Sequence, residues 1–122
     1  MEKYCVFIFH GSKSFEVQSA TDRLQEQLRK KLKTSFSFCY LTNNTPNLYE
    51  ALEEAVSNGF QDIICFPLFV LPGQHICKDI PSLIDDFKKK HKKSVITLLP
   101  SLVENINFAD FLANVIERTN DK

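Results

Sequence analysis

Two uninterrupted apolar runs constrain this chain more than any other feature: residues 4–9 (Tyr-Cys-Val-Phe-Ile-Phe) and residues 63–71 (Ile-Ile-Cys-Phe-Pro-Leu-Phe-Val-Leu). A strand that is apolar at every position has to be covered on both faces, and that is the situation of a parallel sheet sandwiched between helices. The stretches between the runs agree. Val17, Ala20, Leu24 and Leu28 recur at three- and four-residue steps among Gln, Arg and Lys, the stripe of a helix laid on a sheet. Ser14 with Glu16 is a start signal for that helix. Residues 36–41 form a second predicted strand, and residues 42–46 (Thr-Asn-Asn-Thr-Pro) a polar loop closed by proline. A short helix turns Leu48, Leu52, Ala55 and Val56 inward, with Gly59 just past its end. The spacing then predicts a third strand over residues 62–70, and a helix from Asp79 to about Lys90 burying Ile80, Leu83, Ile84 and Phe87. A fourth strand over residues 95–99 and a last helix from Asn107 to about Arg118 complete the chain. Phe108, Phe111, Leu112, Val115 and Ile116 are expected to form the buried face of that last helix, with residues 119–122 fraying.

Four strands alternating with four helices imply right-handed crossovers and an α/β fold: a four-stranded, mostly parallel sheet with helices on both faces, in the order βαβαβαβα. The whole chain, residues 1–122, reads as a single domain. Fifteen basic residues balance fifteen acidic ones, so no field steers the protein toward nucleic acid or an anionic membrane. No apolar run approaches the ~18 residues of a membrane span, and the six-residue run near the start is too short for a signal-peptide core. A cytoplasmic protein is expected. Cys5, Cys39, Cys65 and Cys77 form no Cys-x-x-Cys pair, and the first three fall in predicted strands, where a thiol packs as a small hydrophobe. No Gly-x-Gly-x-x-Gly or Gly-x-x-x-x-Gly-Lys motif supports nucleotide chemistry.

Two histidines follow the two apolar runs: His10 in Phe9-His10-Gly11-Ser12, and His75 after Leu71-Pro72-Gly73-Gln74. In an open α/β sheet the carboxyl ends of the strands share one edge, and ligands bind in the crevice there. Imidazole binds cobalt, iron, nickel or zinc and takes up protons near neutral pH. The bland alternative for each is a strand-end histidine bonded to backbone. Gly11 suits a tight turn and close approach, and Ser12 caps the next helix or bonds a substrate carboxylate. Asp79, ahead of Ile80-Pro81, reads as a helix N-cap, with a bond to His75 as the sharper option. Cys77 shares the His75 loop as a soft donor, Glu104 is a loop carboxylate, and the Lys88-Lys89-Lys90-His91-Lys92-Lys93 run reads as a solvated helix end.

His-Gly-Ser after the first strand, then Pro67-Leu68-Phe69, Gly73-Gln74-His75 and Asp79-Ile80-Pro81, resemble the class II tetrapyrrole metal chelatases, in their short CbiX form. The resemblance implies a chelatase-like half-domain that inserts Co²⁺ or Fe²⁺, with Ni²⁺ also possible, into sirohydrochlorin without ATP. It implies His10 and His75 as the catalytic and metal-handling pair, and Phe9, Gly11, Ser12, Leu71, Pro72 and Gly73 as the walls that bind the macrocycle. No resident cofactor is implied, because the metal is a substrate. A half-domain present as a single copy implies a homodimer. Two positions depart from the family pattern: Phe9 stands where a glycine is usual, and Thr42 where many relatives carry a glutamate four residues before the proline matching Pro46. Those departures leave a rival, a tetrapyrrole or metal carrier that kept the fold and lost turnover. A flavodoxin-like interaction domain with incidental histidines is a second rival, allowed by the coarse pattern alone.

Overall fold

A computed structural model describes residues 2–74 and 78–119. Among these residues the strands are β1 (Lys3–Phe9), β2 (Ser35–Tyr40), β3 (Asp62–Pro67) and β4 (Val95–Leu98), and the helices α1 (Phe15–Lys31), α2 (Leu48–Ser57), α3 (Ile80–Lys90) and α4 (Ile106–Thr119). All strand pairings are parallel, in the order β2-β1-β3-β4. The expected α/β sandwich is therefore present, with β1 central. Val6 and Ile8 in β1 are fully buried, as a run without polar alternation requires.

The two faces of the sheet carry separate apolar layers. One joins Val6, Ile8, Ile63 and Cys65 to Leu52 of α2 and Phe87 of α3. The other joins Cys5, Phe7 and Phe38 to Leu24 and Leu28 of α1, with Phe7 edge-on to Phe36 and Phe38 at 5.7 and 5.8 Å between ring centroids. Ser14 caps α1 as expected, its hydroxyl accepting the Val17 N–H, and Asn47 with Glu50 closes a capping box on α2. Gly59 follows α2 with a positive φ of 94°.

Three expectations need correction. β3 ends at Pro67 instead of Val70, because the carbonyls of Phe69 and Val70 accept the N–H groups of Leu102 and Val103 and are drawn into a loop contact. Asp79 makes no side-chain cap on α3; its own φ and ψ are already helical, whereas a capping residue has extended backbone. No residue of α4 is buried: Phe111, Leu112, Val115 and Ile116 are 58, 48, 46 and 61% exposed, and Phe108 is half-buried. The 3₁₀ turn Leu102–Glu104, bonded to the Phe69 and Val70 carbonyls, and Asn105 after it, set the direction in which α4 leaves. Phe108 and Phe111 in its first turns border a hollow with Phe66 of β3. On α1 likewise, Leu24 and Leu28 pack while Val17 stays exposed.

Candidate functional site

The strand order places β1 and β3 side by side, and their outgoing connections run to opposite faces, α1 to one and α3 to the other. The gap between two such loops at the carboxyl edge is the switch point at which open α/β sheets bind ligands. His10 stands there, the first residue past β1. Its ring stacks on that of Phe69, from the loop after β3, with centroids 4.2 Å apart and planes 24° from parallel. The two loops of the crevice therefore meet ring against ring, and His10 remains exposed. His75 and Cys77, read from the sequence as a metal-handling residue and a soft donor, lie outside the described residues. Leu71, Pro72 and Gly73, read as macrocycle wall, are exposed on the loop leading toward them.

The backbone of His10 is gripped from the next loop. Thr42 donates both its N–H (2.9 Å) and its hydroxyl (3.0 Å) to the His10 carbonyl. The approach is so close that a Cβ on Gly11 would lie 1.8 Å from the Thr42 carbonyl oxygen, and Gly11 has a φ of 96°. Both facts demand glycine. The Ser12 N–H donates to Asn44 Oδ1 at 2.7 Å, and the Ser12 hydroxyl accepts the Ser14 N–H at 3.0 Å. Ser12 therefore braces the turn ahead of α1, and the cap itself is Ser14. Gly11 and Ser12 serve the site as its frame.

Phe9 points the other way from His10, as alternation along a strand requires. It packs on Phe38 (4.7 Å) and stacks on Tyr40 (5.9 Å) in the α1 layer. Beside it a cavity of about 220 Å³ opens next to His10, lined by Phe9, Gly11, Val17, Thr21, Tyr40 and Asn44. Burial raises the Tyr40 phenol above its ordinary range, against the lowering effect of the Thr21 hydroxyl. Phe9 is thus a wall of this side cavity, on the α1 side of the crevice.

The remaining candidates lie apart. Glu104 accepts a hydrogen bond from the fully buried Ser101 hydroxyl at 3.5 Å, which ties it to its own turn. His91 stacks on Phe87 at 4.2 Å and borders a hollow with Lys92, Lys93 and Ser94 just before β4. That is the amino edge of the sheet, so the lysine run does not rim the His10 crevice. Among the described residues no three His, Cys, Asp or Glu side chains are grouped to hold a metal. Thr42, Asn44 and Phe69 are the residues that sequence reasoning undervalued. The short polar side chains of residues 42–44, able to bond backbone, were the available signal.

Known proteins resemble this arrangement. The sequence model of the CbiX family matches residues 4–119. A sirohydrochlorin cobaltochelatase of Saccharolobus solfataricus is 29% identical over 119 residues, spanning 95% of this chain and 92% of that protein. Another, from Sulfurisphaera tokodaii, is 31% identical over 83 residues, 68% of each chain. Among solved structures, a cobalamin biosynthesis CbiX protein of Marinobacter aquaeolei superposes with a TM-score of 0.80 over 98% of both chains at 20% identity. The sirohydrochlorin chelatase SirB of Bacillus subtilis, in complex with cobalt, superposes with a TM-score of 0.84 at 20% identity over 99% of this chain but 51% of that one.

Proposed function

The chain belongs to the CbiX family, and from that premise we propose that it inserts a divalent metal into sirohydrochlorin or a closely similar tetrapyrrole. Cobalt or iron is the metal of this reading, with nickel a further candidate. The observation that carries it is His10 at the switch point of a parallel sheet, ring stacked on Phe69 and backbone held by Thr42. Insertion replaces two pyrrole N–H protons with one M²⁺, so the site has to present a metal donor and accept two protons. His10 and His75 take both duties, His75 by its place in the sequence. The metal enters as substrate, with no resident cofactor, and the lack of any nucleotide-binding motif supports a reaction without ATP. Leu71, Pro72 and Gly73 form one lip for the flat ring, with Phe9 behind the other.

The reading carries two further statements. The chain acts as one domain that pairs with a second copy of itself, and it works in the cytoplasm. Free, buried thiols at Cys5, Cys39 and Cys65 support a reducing compartment, and no helix among the described residues is long and apolar enough to cross a membrane.

Anaerobic absorption spectroscopy of sirohydrochlorin with Co²⁺, Fe²⁺ or Ni²⁺ tests the activity. Loss of the free-base spectrum faster than the uncatalysed background is expected with the wild type and not with a His10→Ala/His75→Ala double variant. Equal rates for the two proteins would end this mechanism. A second reading, a carrier that binds the ring without turnover, draws on Thr42, whose hydroxyl is spent on the His10 carbonyl where a glutamate would offer a carboxylate. Thr42→Glu separates them: insertion rising from near zero would favour the carrier.

A further inference from the structure

At the amino edge of the sheet, where β3 and β4 begin, the ends of α2 and α3 enclose a hollow of about 260 Å³. Its floor is Val56 and Phe60, both half-buried against the core, with the Phe60 ring on Tyr4 at 4.9 Å between centroids. His91 forms a side wall, its ring held on the fully buried Phe87. Lys92 and Lys93 stand exposed at the rim, and no carboxylate lines the hollow. The lysines here have no carboxylate partner. Lys88, Lys89, Lys90, Lys92 and Lys93 fall close together in the sequence, yet between described residues the one ion pair is Arg29 with Glu26 on α1. Lys90 Nζ lies instead over the Tyr49 ring, 5.7 Å from its centroid. The negative end of the helix dipole accounts for Lys88, Lys89 and Lys90 in the last turn of α3. It does not account for Lys92 and Lys93, which follow the C-cap His91.

We propose that this hollow docks an acidic peptide segment of a partner protein. One large apolar side chain of the segment enters between Val56, Phe60 and His91, and Asp or Glu residues on either side of it lie along Lys92, Lys93 and the end of α3. An anchor side chain in a pocket with a polar rim is the arrangement that carries most binding energy at an interface. Size separates this from a small-molecule site. A hollow of about 260 Å³ lies below the roughly 300 Å³ at which ordinary ligand pockets begin. It accommodates one aromatic or leucine side chain, and the positive charge runs on past its mouth, where only an extended ligand reaches it. A nucleic acid fits less well. Bases need open ring faces to stack on, and here one face of His91 is taken by Phe87 while Phe60 is turned to Tyr4. Fifteen basic residues against fifteen acidic ones also leave the chain no net positive field. His10 stands at the opposite, carboxyl edge of the sheet, so a partner seated here leaves the crevice uncovered, and docking stands or falls apart from metal insertion.

The probe is a peptide capped at both ends, Glu-Glu-Phe-Glu-Glu, titrated into the ¹⁵N-labelled full chain at about 0.1 M salt. Saturable amide shifts are expected at Gly59, Phe60 and Gln61 and from His91 to Ser94, with a Kd in the millimolar range or tighter. Replacing the peptide's Phe by Ala removes the anchor and is expected to weaken binding at least about tenfold. Lys92→Glu/Lys93→Glu is expected to weaken it by at least as much, with the rest of the amide spectrum unchanged because both positions are exposed. An Ala peptide that binds as well as the Phe peptide would reduce the contact to bulk charge attraction. Shifts confined to α4 or to the His10 crevice would place it elsewhere, and an oligothymidylate of equal length binding more tightly at the same amides would make this a nucleic-acid surface. Each of these overturns the proposal, as does an unsaturated titration or a charge-reversed variant that binds like the wild type.

Discussion

The α1 side of the sheet has two halves, each provided in sequence with a helix that carries an apolar stripe, and they came out differently. Over β1 and β2, α1 lays Leu24 and Leu28 onto Cys5, Phe7 and Phe38, and the layer is closed. Over β3 and β4, the helix whose stripe should do the same leaves after its first turns, and of that stripe Phe108 alone is half-buried while Phe111, Leu112, Val115 and Ile116 stay exposed. A hydrophobic stripe records that a helix must be covered; which surface covers it is decided by the direction in which the preceding loop releases it. In the closed half that loop is Ser12–Ser14, anchored to Asn44. In the open half it is the Leu102–Glu104 turn, tethered to the Phe69 and Val70 carbonyls.

The strongest challenge to this contrast is Gly11→Ala at the root of the closed half. A methyl group there meets the Thr42 carbonyl and occupies a left-handed backbone conformation, and a loss on the order of 3 kcal/mol or more is expected in urea unfolding. A loss under ~1 kcal/mol would show that the two loops do not grip each other as described. Next comes a matched pair at concentrations where the chain is monomeric. Phe38→Ala, in the closed layer at 5% exposure, should cost roughly 3–5 kcal/mol, and Phe111→Ala, 58% exposed, less than ~0.5 kcal/mol. Similar values for the two would erase the distinction between the halves. Asn44→Ala, which strands the Ser12 N–H, should cost about 1 kcal/mol by the same assay, with no change in the unfolding slope.

The smallest effect on stability near neutral pH belongs to a labelling contrast. Burial pushes the Cys5 thiol up to about 11. Since the raised value disfavours thiolate, at pH 8 it carries about a hundredfold less thiolate than an ordinary cysteine, and it regains reactivity only as pH climbs through its folded value. A monomeric Val115→Cys variant should therefore react with a thiol reagent at the engineered position at least a hundredfold faster than at Cys5. Comparable rates would mean the closed layer opens freely.

Much of the fold was legible because it rests on local periodicity. The apolar runs became strands buried on both faces, Ser14 became a cap, and the alternation of elements dictated a parallel sheet. His10 could be placed at the carboxyl edge of the sheet for the same reason. The grip of Thr42 on His10 was not legible, since it joins loops 32 residues apart and depends on the exact approach of two backbones. Asp79 misled because an acidic residue before Ile-Pro has the composition of a cap, while its backbone is already helical. Phe69 fell inside the predicted third strand, and its service as the platform for the His10 ring emerged only once β1 and β3 were neighbours.

The pair of hydrogen bonds from Thr42 to the His10 carbonyl has a consequence for how such a site can change over evolutionary time. The residue that presents the imidazole belongs to one loop, but its height above the sheet is set by another, which takes no part in the Phe69 contact. Substitutions among residues 42–44 can therefore raise, lower or tilt His10 while leaving its own strand, and the ring beneath it, as they are. The β2–α2 loop acts as an adjusting screw, free to drift in sequence and to reposition the imidazole without passing through a chain that has lost its histidine.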